Sequence, residues 1–504
     1  MPKQSRRFSR RSSRPNEEIE SNHERLKAPS AMIGIISYGA YIPPTRLPFS
    51  VIAGRPASDG DPERSVAWHD EDAITLGVTA AVHCLEGFDR NQIDKLIFAS
   101  TTLPFAEKQS AALAARALDL GRDIQTEDQT GSTRAGSSAL SAAFDAVRAG
   151  SAKTVLVIAS DARLAAPGSG LEVKLGDGAA ALLISDGAAI ASLDHFAAVT
   201  DEITDVWRPA GHDYVHSWED RFVLQESVLP NLSRAIESLL VRCECSINEF
   251  DRVVLATPDA RSHATLARSS KIEQDALEPH LFGRLGHAGA ATAPLLLIAA
   301  LEAAKPGERL LLADFGSGAN AAALLITKEI SPLKTRRGVA WNLARRRVVS
   351  RYDDYVKAKG LTATEWDAGS NPGLSATILF RERDDDLSFL GQQCQSCQAV
   401  QFPKQRVCET CYSKDRFDPL RLSDQIGKIV TYTFDYFFPT PNPPTIVTII
   451  EVAGARIHLQ VVDIEAKDVE IGQEVEFVFR RIHESGGRPN YYWKGIPRPE
   501  IEHG

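Results

Sequence analysis

The run TVLVIASD (154–161), followed by GDGAAALLIS (176–185), is echoed by RLLLADFG (309–316) leading into GSGANAAALLIT (316–327), about 140 residues further on. Each copy reads as an apolar strand, a glycine turn and a small-residue strand, and a repeated unit of this kind implies a duplicated domain whose halves pack on each other. Ordinary core packing explains the alanines and glycines but not their shared order. Around the echo, 95–100, 154–160, 252–256 and 309–313 are short apolar runs suited to buried strands, while 109–118, 134–149, 227–242 and 288–304 suit helices. That alternation predicts a layered α/β domain.

Composition narrows the function classes. The chain has 504 residues, 43% of them hydrophobic, and a formal net charge of −9, so it offers no cationic excess for a nucleic-acid backbone. The longest apolar stretch, 290–304, contains Pro294 and Glu302 and falls short of the roughly 20 residues a membrane span needs. A cytoplasmic protein with no membrane or nucleic-acid partner is expected. Residues 1–14 carry Lys3, Arg6, Arg7, Arg10, Arg11 and Arg14 without an acid; with no apolar helical face, residues 1–31 read as a disordered tail.

The composition changes after residue 330. Residues 331–388 are charged and read as a linker with a helix around 350–360, between ArgArgArg (345–347) and AspAspAsp (384–386). Then Cys394-x-x-Cys397 and Cys408-x-x-Cys411 follow, ten residues apart. Two such knuckles aim four thiolates at one point, which suits tetrahedral Zn²⁺ in a closed, structural site; an iron centre or two redox disulfides are the alternatives. Cys84, Cys243 and Cys245 read as ordinary apolar or surface positions. Runs at 428–437, 445–452, 455–463 and 474–480, broken by Pro or Gly turns, predict a small β-barrel. Residues 421–504 hold nine Lys/Arg against twelve Asp/Glu, which argues against a phosphate-binding groove.

From Phe389 to Arg498 the chain resembles the DUF35 family, with FPKQRVC (402–408) and IGKIVTYT (426–433) carrying the likeness. The resemblance implies a rubredoxin-like zinc ribbon over 389–420 and an OB-fold barrel over 421–504, in a family whose members accompany thiolase-type enzymes. Residues 32–330 resemble the hydroxymethylglutaryl-CoA (HMG-CoA) synthase branch of the thiolase superfamily. The carriers are IGIISYGAYIPPTRL (33–47), DVWRPAGHDYVHSWEDRF (205–222), GHAGAATAPLLLIAAL (286–301) and PGERLLLADFGSGA (306–319). This implies a duplicated five-layer αβαβα fold and a homodimer.

Catalysis in that branch rests on a Glu, a nucleophilic Cys at a helix N-terminus and a His. Laid on the family phrases, STTLPF (100–105), TRAGS (133–137) and LATPDAR (255–261) put Thr101, Thr133 and Thr257 at those three positions, and no cysteine lies in 85–242. A threonine hydroxyl needs an adjacent base to attack a thioester, so an acyl-enzyme at Thr133 is not expected. The resemblance leaves His287, in GHAG, as acid/base or oxyanion donor, with backbone amides at Gly316, Ser317 and Gly318 beside it. Asp213 and Tyr214 follow the phrase at the substrate entrance, and Arg261 stands where a CoA phosphate would be paired; His263 and Glu107 are weaker candidates. Three functions fit this pattern: a C–C bond-forming or bond-cleaving enzyme on a CoA thioester, such as a retro-aldolase on a β-hydroxyacyl-CoA; a non-catalytic CoA-binding scaffold that partners a thiolase; or an acyl-condensing synthase.

Overall fold

A computed structural model describes residues 32–333, 336–361, 376–437, 440–485 and 488–499; the expected tail at 1–31 lies outside them. Nine strands form one sheet: β1 (Ile33–Tyr41), β2 (Lys95–Ala99), β3 (Gln125–Gln129), β4 (Thr154–Asp161), β5 (Gly178–Asp186), β6 (Ala191–Thr200), β7 (Arg252–Ala256), β8 (Arg309–Phe315) and β9 (Gly318–Ile326). Their order is β7-β8-β9-β6-β1-β5-β4-β2-β3. The two echo copies are β4/β5 and β8/β9. Each pair is an antiparallel hairpin, and β4 and β8 each take a parallel neighbour on the other side, β2 and β7. The repeated sequence is therefore a repeated piece of sheet.

Both faces of these strands are buried, which is why they read as unbroken apolar runs. On β4, Val155, Val157 and Ala159 join one core while Leu156 and Ile158 join another; on β8, Leu310 and Leu312 face the first core and Leu311, Ala313 and Phe315 a third. The shared first core holds α2 (Ala135–Arg148) and α4 (Thr292–Ala303) between the half-sheets. Helix α1 (Ala73–Cys84) covers the outside of one half, and α3 (Leu229–Cys243) covers the outside of the other. These are the five layers, α, β, α, β, α, that the resemblance implied.

The stretch expected as a linker is tied down on the sheet. Helices cover Val339–Ala344, Tyr352–Ala358 and Ala376–Asp386, the middle one where a helix was expected. Asn342 accepts the Ile42 amide and donates to the Ala40 carbonyl, and Tyr355 is fully buried. Residues 336–361 thus pack on the first domain, and Arg337 also pairs with Glu476, further along the chain, at 2.6 Å.

Beyond it, three short strands (Leu390–Cys394, Val400–Gln401, Phe417–Arg421) form the ribbon. A closed five-strand barrel follows, made of β10 (Gly427–Asp435), β11 (Thr445–Val452), β12 (Ala455–Val461), β13 (Glu474–Ser485) and β14 (Arg488–Pro497). Phe389 stacks on Trp493 at 6.2 Å and joins ribbon to barrel. Barrel and first domain meet through buried charge. The Arg480 guanidinium, 1% exposed, lies 3.0 Å from Glu71, 3.1 Å from Asp463 and 2.9 Å from the Tyr41 hydroxyl, while Lys494 reaches Asp70 at 2.9 Å and Tyr491 donates to Asp72 at 2.8 Å. Ions this deep remain charged only because each is paired.

Candidate functional site

A cavity of about 370 Å³ opens where the ends of β4 and β8 meet the N-terminus of α2. Thr133 stands just before α2 and Gly316–Ser317 turn between β8 and β9, so the duplication itself brings these segments together. His287 arrives from a third direction. Its loop runs beside 174–176, with Gly176 donating to the His287 carbonyl at 3.1 Å and His287 donating to the Lys174 carbonyl at 2.8 Å. That approach requires glycines: a Cβ on Gly176 would lie 1.9 Å from the Leu285 carbonyl oxygen, and one on Gly286, whose φ is +93°, 2.7 Å from that of Leu175.

His287 is buried, and its Nδ1 accepts the Gly289 amide at 3.1 Å with the Arg163 guanidinium 3.2 Å away. Burial first, and then the Arg163 charge, push its pKa down to about 3. The ring is neutral at physiological pH, and with Nδ1 accepting, its hydrogen resides on Nε2.

Thr101 and Thr133 line this cavity, and Thr257 lies buried beside its lining residues Pro258 and Asp259. All three hydroxyls donate inward: Thr101 to Asp161 at 2.9 Å, Thr133 to the Phe315 carbonyl at 3.0 Å and Thr257 to the Asp259 carbonyl at 3.1 Å. Among the described residues, none is hydrogen-bonded to a histidine. Gly316 and Ser317 also line the cavity and Gly318 does not; the Gly316 amide is already spent on the Gly318 carbonyl, so it is no oxyanion donor. Asp213 and Arg261 are exposed, Tyr214 is half-buried, and none of the three lines the cavity although Val215 and Ser262 next to them do. Among the weaker candidates, His263 packs edge-on against His280 at 5.2 Å, and Glu107 is exposed.

Sequence reasoning missed the charged lining. Arg163, 6% exposed, follows the polar end of β4; Lys174 pairs with Asp220 at 2.8 Å and Asp259 at 3.4 Å. Burial opposes ionisation of Asp259, but the Ser262 amide and Lys174 hold its carboxyl below the usual range. The signal available was the abrupt change from apolar to charged at SDAR (160–163), where a buried strand ends.

The second site is the cysteine cluster. The four Sγ atoms of Cys394, Cys397, Cys408 and Cys411 all lie within 4.8 Å of one another, with 3.6 Å between Cys394 and Cys411 and between Cys397 and Cys408. Tetrahedral zinc with Zn–S bonds of ~2.3 Å separates its sulfurs by about 3.8 Å, so these residues fit the ion.

Residues 381–416 match the family described as "ChsH2, rubredoxin-like zinc ribbon domain", and residues 240–328 match "3-Oxoacyl-[acyl-carrier-protein (ACP)] synthase III C terminal". The chain is 31% identical over 348 residues to the hydroxymethylglutaryl-CoA synthase of Aeropyrum pernix (66% of this chain, 96% of the relative) and 30% identical over 345 residues to that of Pyrococcus horikoshii (66% and 98%). Among solved structures, HMG-CoA synthase complexed with CoA superposes with a TM-score of 0.61 at 22% identity, covering 68% of this chain and 94% of that one. The curacin-pathway HMG synthase in complex with holo donor-ACP gives 0.60 at 21% identity, covering 70% and 94%. No helix among the described residues is long and apolar enough to cross a membrane. With its duplicated sheet, its cavity at the strand ends and these relatives, the chain belongs to the hydroxymethylglutaryl-CoA synthase family of the thiolase superfamily, extended by a zinc-ribbon domain and a barrel.

Proposed function

We propose that the cavity makes or breaks a C–C bond beside a CoA thioester without acylating the protein, and that cleavage of a β-hydroxyacyl-CoA is its reaction. The observation that carries this is the state of His287: neutral, with Nδ1 occupied by the Gly289 amide, it presents Nε2–H as a donor. Such a donor stabilises the oxygen of a thioester enolate, where charge develops as the C–C bond breaks. Arg163 fixes the ring and adds positive potential. Asp259, ionised and held by Lys174, is the group to accept the β-hydroxyl proton. Thr133, at the position assigned to the synthase cysteine, has its proton committed to the Phe315 carbonyl, so a condensing synthase that works through an acyl-enzyme is disfavoured. Incubating the protein with a panel of β-hydroxyacyl-CoA thioesters should release a shorter acyl-CoA and a carbonyl compound; no turnover on any of them contradicts this reading.

The inward-turned hydroxyls of Thr101, Thr133 and Thr257 favour a second reading, a non-catalytic CoA-binding subunit that serves a thiolase. It predicts CoA affinity without turnover, and co-purification with such a partner. In either case we assign the zinc a structural role, because all four of its positions are filled by cysteine. A homodimer is supported by the open edge of the sheet, where β3 pairs on one side only.

A further inference from the structure

Away from the cavity and the ribbon, two cysteines share one turn. Cys243 ends α3 and Cys245 follows after Glu244, whose φ of 50° and ψ of 41° place it in the left-handed region that a side chain such as glutamate rarely adopts. The turn is fixed by backbone bonds from Glu244 to the Val241 carbonyl at 3.3 Å and from Cys245 to the Leu240 carbonyl at 3.2 Å. A helical residue of either hand sets its two neighbours' Cα atoms about 5.4 Å apart, from a radius of ~2.3 Å and a rise of ~1.5 Å per residue. Disulfides span Cα separations of roughly 4.4–6.8 Å, so this conformation sets the two Cα atoms at a separation a disulfide can span, where an extended Glu244 would move them apart. The thiols differ in surroundings. Arg309 Nη2 donates to Cys245 Sγ at 3.6 Å, which places a hydrogen-bond donor at that sulfur.

We propose that Cys243 and Cys245 form a peroxide-sensitive dithiol that oxidises reversibly to an intrachain disulfide, with Cys245 reacting first. The Cys245 thiolate attacks one oxygen of hydrogen peroxide; the O–O bond breaks and hydroxide leaves as water, giving Cys245 sulfenic acid. The Cys243 sulfur, losing its proton to solvent, then attacks Cys245 Sγ and displaces the sulfenic hydroxyl as a second water. Two thiols lose two electrons and the peroxide gains them. The Cys243 thiol suits the resolving role: burial first, and then the Cys245 charge, push its pKa up to about 11, so it stays protonated until its neighbour is oxidised. Cys84 is excluded from such chemistry because it is fully buried and burial pushes its pKa up to about 12.

The test uses the full-length, zinc-loaded protein, treated with hydrogen peroxide, quenched with N-ethylmaleimide and mapped by peptide mass spectrometry. The peptide holding Cys243 and Cys245 should lose two hydrogens and escape alkylation, with zinc retained, and dithiothreitol should restore both thiols. Cys243→Ser should stop at a sulfenic acid on Cys245 that dimedone traps, and Arg309→Gln, which removes the donor at Cys245 Sγ, should slow the first step. Both thiols remaining alkylatable at a peroxide dose that oxidises free glutathione in parallel would overturn the proposal, as would zinc release before the pair oxidises. Equal rates in Cys245→Ser and Cys243→Ser would overturn the assigned order.

Discussion

The cysteine cluster and the first domain's cavity are opposite kinds of site. The cluster draws all four donors from 18 consecutive residues, Cys394 to Cys411, and places the sulfurs within 4.8 Å of one another. The cavity draws Thr101, Thr133, Arg163, Asp259, His287 and Gly316 from six separate segments, and only the duplicated sheet brings them together. A closed metal site is written in a local string; an open reaction site is written by the fold. The difference predicts how each responds to damage.

The largest effect should come from the cluster. Metal binding to four-cysteine sites is worth on the order of 10 kcal/mol or more, so chelation or Cys408→Ser should unfold the ribbon and loosen the barrel while the nine-strand sheet persists. Zinc analysis alongside far-UV circular dichroism and Trp493 fluorescence checks this, and a single unfolding transition at unchanged temperature after zinc loss would break the contrast between the regions.

Next comes the seam between them. Arg480→Met leaves Glu71, Asp70 and Asp463 less compensated in a buried setting and should cost about 3–5 kcal/mol, read as a fall in the denaturant midpoint with an unchanged slope. Asp70, well below the usual carboxylate range despite its burial because Lys494, His69 and Arg480 face it, contributes stability that is present at neutral pH and lost as pH falls below about 4.

The smallest effect has the opposite sign and lies under the cavity. Asp314, buried at the end of β8 and bonded to Ser137 at 2.6 Å, has its pKa raised by burial to about 7. The folded protein keeps a proton there that the unfolded chain releases near pH 4, so this group's contribution is favourable below that and is lost as pH rises toward 7. Asp314→Asn should remove up to about 4 kcal/mol of that dependence. Unfolding curves at pH 5 and 8 for both proteins measure it; identical slopes against pH would show that Asp314 is already ionised.

Much of this was legible in the residues. The echo located both hairpins, the cysteine spacing located the metal site, and the β-branched runs located four of the barrel strands. Arg480 was not legible, because in EVEFVFR a charged residue alternating with Val475, Phe477 and Phe479 reads as the solvent face, and only the docked first domain covers it. Asp213, Tyr214 and Arg261 followed the family phrases yet sit one or two residues from the side chains that line the cavity. A phrase fixes a loop, whereas the turn of the loop decides which side chain points inward. Lys174 and Asp259 escaped notice because single charges in loops carry no pattern.

The central claim is that the cavity works through a neutral His287 without a nucleophile, and one pair of measurements on His287→Ala tests it most directly: turnover of a β-hydroxyacyl-CoA and the dissociation constant of an acyl-CoA. A donor engaged only as charge develops contributes to the transition state and not to ground-state binding, so turnover should fall by about 10²–10³ while affinity stays within a factor of about two. Unchanged turnover, or a loss of affinity equal to the loss of rate, would contradict the account.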